Sequence, residues 1–131
     1  MTDPDLPPSL DDIAALAATA LDRLPAHFAD PIRHVPIIVE DFPGSDVMHW
    51  MDLGSPFDIM GLYHGVDLAS KLGGASPADL DRIFLYRRPI LDYWCETAES
   101  LSHVVAHVLI HEIGHHFGLS DDDMAVIEGR A

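Results

Sequence analysis

The chain has 131 residues, enough for one domain with a single core and too few for two. Its 22 acidic side chains against 7 basic ones give a formal charge of −15, a surface that repels phosphate backbones and anionic lipid heads, so nucleic acid and membrane are not expected partners. No apolar run is long enough to span a bilayer, the acidic and proline-rich start Met1–Leu6 lacks a secretory pattern, and the single cysteine, Cys95, excludes an internal disulfide; together these predict a cytoplasmic protein.

Residues 1–8 read as a flexible lead-in and residues 9–131 as the one domain. Ser9 stands three residues before Asp12, a capping-box-like start. Ile13, Leu16, Ala17, Ala20, Leu21 and Leu24 then recur at helical spacing until Pro25 stops the run. Ala26–Arg33 reads as a connection. The β-branched run Val35-Pro36-Ile37-Ile38-Val39-Glu40 reads as a strand, with Pro36 tolerable near its start or at an edge.

Asp41 to Phe57 is broken by Pro43, Gly44, Gly54 and Pro56. Its largely apolar cluster Met48, His49, Trp50 and Met51 either tucks onto the core or forms a lip of a cleft, and packing is the ordinary outcome. Gly61–Val66, bounded by glycines, is either an edge strand able to pair with an extended peptide or a hairpin-like connection. A polar stretch follows to Asp81, with a Gly73-Gly74 break and a single turn expected at Ser76-Pro77. Arg82–Arg88 is the clearest strand, expected to end at Pro89, and Ile90–Thr97 should connect it to a long helix over Ser100–Phe117. Arg87 and Arg88 read as solvated edge charges before oxyanion stabilisers.

On that last helix His103, His107, His111 and His115 follow one another at intervals of four. His111 and His115 are one turn apart, roughly 40° around the axis, so both imidazoles can hold one metal ion without bending the backbone. Glu112 flanks the same stripe, where its carboxylate can reach a water on the ion, the mechanical sense of H-E-x-x-H in a zinc hydrolase. Zinc needs a third protein ligand and one open position. Gly118 can end the helix and turn the chain back, and Asp121 is the nearest carboxylate that such a turn returns to the ion. The plain alternative is a His-rich buried helix stopped by Gly118 and followed by a cap at Ser120 and Asp121. His103 lies about 12 Å of rise from His111, too far to join the same ion. His107 is near enough, but as a further ligand it would displace the water, so both read as structural, and so does His116.

The stretch His111 to Asp121, H-E-x-x-H-x-x-G-x-x-D, resembles the zincin metallopeptidases and, within them, the aspartate-bearing variant of the metzincin pattern. Leu24-Pro25, Ile37–Val39, Gly61-Leu62-Tyr63-His64-Gly65, Ile83–Arg87 and His111–Gly118 are together similar to a family of small bacterial zincin-like metallopeptidases. That resemblance implies an α+β, minimal zincin-like fold, with a small mixed β-sheet packed against the active-site helix and an N-terminal helix. It implies zinc on His111, His115 and Asp121, with Glu112 as catalytic base. Met124 stands too close to Asp121 for the Met-turn of larger metzincins, and no C-terminal subdomain is expected. The expected function is zinc-dependent hydrolysis of a peptide or protein substrate. The alternative is a metal-binding or interaction module that keeps the fold without turnover. For the oxyanion, Tyr63, His64, Tyr86 and Arg87 are candidates.

Overall fold

The computed structural model describes residues 5–65, 81–117 and 122, without the side chains of His116 and Phe117. The expectations for Gly118, Asp121, Met124, the His116 side chain and the turn at Ser76-Pro77 lie outside the described residues.

Helix α1 spans Leu10–Asp22 and begins as its sequence dictates. Ser9 Oγ accepts from the Asp12 N–H at 3.1 Å, and Asp12 Oδ2 accepts from the Ser9 N–H at 2.8 Å. Two of the donors that a helix start leaves unpaired are thereby satisfied. Ile13 and Ala17 turn the stripe into the core. The expected connection after Pro25 is instead a two-turn helix, α2, over Ala26–Ile32. Pro31 sits inside it and removes one main-chain donor, a local signal against helix. Burial of Ala29 and Ile32, at 0% and 1% exposure, outweighs that loss.

Strand β1 is Ile37–Glu40. A short helix, α3 (Ser45–Trp50), interrupts the expected irregular stretch, with Gly44 before its first residue. Strand β2 is Gly61–His64 and β3 is Arg82–Tyr86. The sheet order is β1-β3-β2, with β1 parallel and β2 antiparallel to β3, so the sheet is mixed and, among the described residues, β2 is an edge. The chain leaves β3 directly into helix α4, Arg87–Cys95. Pro89 therefore does not end the strand; it stands in the first turn of the helix, where a missing N–H costs no intrahelical bond.

The last helix, α5, spans Leu101–Phe117, beginning within one residue of the expected start. Ser100 Oγ accepts from the His103 N–H at 3.2 Å and caps its start. Alternation along β3 sends Ile83 and Leu85 to the face covered by α1 and α5, and Phe84 and Tyr86 to the face covered by α3. Val104, Val105, Val108, Leu109, Ile110 and Ile113 bury α5 around most of its circumference, and the histidine stripe is what remains at the surface. Leu109 is fully buried, so Leu109→Ala is expected to lower stability by about 2–5 kcal/mol in a urea melt. Among the described residues no helix is long and apolar enough to cross a membrane.

Candidate metal centre

One turn of α5 carries the chemistry. The rings of His111 and His115 lie 4.7 Å apart between centroids and at 66° to one another. One donor atom each from His111, Glu112 and His115 falls within 4.8 Å of the others, the one such group among the described residues. Two nitrogens on a tetrahedral zinc ion are about 3.3 Å apart, so the pair of imidazoles fits one ion with small side-chain rotations. Glu112 is buried at 5% exposure, whereas His111 is half-buried and His115 exposed. His115 Nδ1 lies 3.2 Å from Glu112 Oε1. With Nδ1 turned to the carboxylate, Nε2 carries the lone pair that an ion takes.

Glu112 is held from the sheet as well. The main-chain N–H of Tyr63 donates to Glu112 Oε1 at 2.8 Å. Strand register turns this donor away from β3. The Tyr86 N–H donates to the Met60 carbonyl, and Leu62 pairs with Phe84, so residues 60, 62 and 64 face β3. The main-chain groups of Gly61 and Tyr63 therefore point to the outer edge. Burial pushes the Glu112 carboxyl above its ordinary range, while His115, His111 and the Tyr63 N–H pull it back down.

A cavity of about 750 Å³ opens over these groups. Its floor is His107, Val108, His111, Glu112 and His115 of α5, and its walls are Gly61–Tyr63 of β2 together with Trp50, Met51 and Ile59. Both readings of the Met48–Met51 cluster, packing on the core and a lip of the cleft, hold in part. Met51 does pack on the cluster of Leu62 and Tyr86, but it and Trp50 also form a lip of the cleft.

The oxyanion candidates separate. Tyr63 lines the cavity, but its hydroxyl donates to Asp81 at 2.7 Å. His64 points to the other sheet face, stacked on Phe84 with 6.2 Å between centroids, and is absent from the cavity wall. Tyr86 is 1% exposed, and burial beside Glu40, Asp46 and Glu112 pushes its phenol up, so it stays protonated. Arg87 is not a free edge charge. Its Nε donates to the Pro8 carbonyl at 2.6 Å and its Nη1 pairs with Asp41 at 3.0 Å, away from the cleft. Arg88 stands over the Phe42 ring at 5.4 Å.

His103 pairs with Glu99 at 2.7 Å, outside the three-donor group. His107 lines the cavity but is also outside that group. Asp121, the third ligand expected from sequence, falls outside the described residues. Sequence reasoning missed the Tyr63 N–H as a partner of Glu112 and Gly61 as the residue that admits it. The glycine at the start of an apolar, edge-like run was the available signal.

A family model described as zincin-like metallopeptidase matches residues 32–131. No curated protein matches the chain.

Proposed function

Since the chain belongs to the zincin-like metallopeptidase family, we propose that it hydrolyses peptide bonds with a zinc ion held by His111, His115 and Asp121 and with Glu112 as general base. The observation that carries this reading is the convergence of two imidazoles and a buried carboxylate on the floor of one cavity. Bound zinc supplies a Lewis acid for the scissile carbonyl and a water of pKa about 7. His111 and His115 present their ring nitrogens from successive turns of one helix. Glu112 accepts the proton of the attacking water and delivers it to the leaving amine. Its burial keeps bulk water from competing for that proton.

The substrate we propose is an extended peptide laid along the outer edge of β2, where the Gly61 main-chain groups and the Tyr63 carbonyl are turned outward. A large apolar side chain of that peptide sits against Trp50, Met51, Ile59 and Leu62. Trp50→Ala is expected to reduce the preference for phenylalanine over alanine at that position by roughly tenfold, read as a ratio of kcat/KM values.

The direct test pairs native mass spectrometry of the zinc-loaded protein with cleavage of a broad peptide library. One zinc per chain and cleavage stopped by a chelator are expected. Zinc bound without cleavage would favour a metal-binding module without turnover, and a protein that takes up no zinc would overturn the reading entirely.

A further inference from the structure

At Gly61, β2 packs closely on α5. A Cβ placed there would lie 2.8 Å from Val108 Cγ1, 3.1 Å from the Phe84 carbonyl oxygen and 3.2 Å from Glu112 Cγ. None of these atoms yields easily. A helical valine has essentially one χ1 well, the carbonyl belongs to the central strand, and Glu112 Cγ is part of the buried stem of the base. Two residues on, the outward N–H of Tyr63 meets Glu112 Oε1 at 2.8 Å. Among the described residues, both polar contacts of the carboxylate, to Tyr63 and to His115, engage Oε1.

We propose that Gly61 and the Tyr63 main-chain N–H form a positioning device for Glu112, in which the glycine lets the edge strand approach, the N–H fixes Oε1, and Oε2 is left toward the cavity to take the proton from water. The inference rests on the peptidase reading of the same site. Its physical content is that a single tether at one oxygen sets the rotation of the carboxylate about its stem. An untethered carboxylate swings, and the fraction of time spent facing the water falls. The N–H also cannot serve substrate pairing while it holds the base, so pairing with an incoming peptide falls to the Gly61 groups.

The experiment compares wild type, Gly61→Ala, the double variant Gly61→Ala/Val108→Ala, and Glu112→Ala. Zinc affinity, steady-state cleavage of one peptide selected from the library, and NMR hydrogen exchange of the Tyr63 amide are measured for each. Gly61→Ala is expected to lower kcat by about 10²-fold while KM and zinc affinity change less than about threefold. The Tyr63 amide should exchange at least about tenfold faster in Gly61→Ala and in Glu112→Ala than in wild type. Removing Val108 Cγ1 clears the closest contact, so the double variant should recover part of both kcat and amide protection. A Gly61→Ala protein as active as wild type, or a Tyr63 amide whose exchange ignores the loss of the Glu112 carboxylate, overturns the proposal. Should Gly61→Ala not fold, recovery in the double variant and exchange in Glu112→Ala decide the matter. A wild type that binds zinc and cuts nothing overturns the peptidase reading itself and this inference with it. A cleaving wild type with an equally active Gly61→Ala overturns the positioning role alone.

Discussion

Replacing Glu112 by glutamine is expected to lower kcat for peptide cleavage by roughly 10²–10⁴ while leaving zinc affinity unchanged. Glutamine keeps the length and shape of the side chain, and its amide oxygen can still accept from the Tyr63 N–H that now meets Oε1 at 2.8 Å. What it loses is the capacity to take and return a proton. The two imidazoles are untouched by the change, so the ion should stay. Stability should hold or rise, because a carboxylate at 5% exposure gives up a desolvation cost when it becomes a neutral amide. Glu112→Ala separates the two roles further, since it removes the base and also strips the Tyr63 N–H of its partner, and should melt lower than Glu112→Gln. Kinetics on a library-derived peptide, zinc competition and thermal melts read all three quantities. Equal cleavage by wild type and Glu112→Gln would remove Glu112 from the chemistry.

Much of this site was legible because its signals are local. The i, i+4 spacing of His111 and His115 needs only helical geometry, and α5 begins within a residue of the expected start and is helical through Phe117. The Ser9–Asp12 cap is likewise settled by four consecutive residues. The losses came where long-range burial overrode local chemistry. Pro31 and Pro89 both argue against helix by their own propensities, yet α2 is held by buried Ala29 and Ile32, and Pro89 is harmless in the first turn of α4. Trp50 and Met51 read as packing residues because apolarity alone does not say which wall a loop will build. The contact between β2 and Glu112 spans forty-nine residues of sequence and depends on a register and a missing Cβ, neither of which a one-dimensional pattern encodes.

His111→Ala and His115→Ala are each expected to abolish zinc-dependent cleavage and to flatten the response of thermal stability to zinc. An ion that binds the folded chain and not the unfolded one stabilises it by RT ln(1 + [L]/Kd), about 2.7 kcal/mol at a hundredfold excess over Kd. Wild type should therefore melt higher with rising free zinc and fall back on chelation. Losing one of two neighbouring imidazoles leaves too few donors to hold the ion. His111→Ala should barely change the metal-free melt, since His111 is half-buried and outside the apolar core of α5, whereas His115→Ala also removes a contact of the buried Glu112 carboxylate and should melt somewhat lower. The combination in His111→Ala, an unchanged apo melt with a lost zinc response, is the signature of a ligand and would not arise from general damage. His103→Ala supplies the control on the same stripe: it breaks a pair with Glu99 but sits about two turns from His111, so its zinc response should match wild type. His107 stands between them on the cavity floor, and a wild-type zinc response in His107→Ala would place the boundary of the centre between residues 107 and 111. If instead His111→Ala keeps the full zinc-dependent rise, the ion is held elsewhere and the convergence on α5 is not a metal centre.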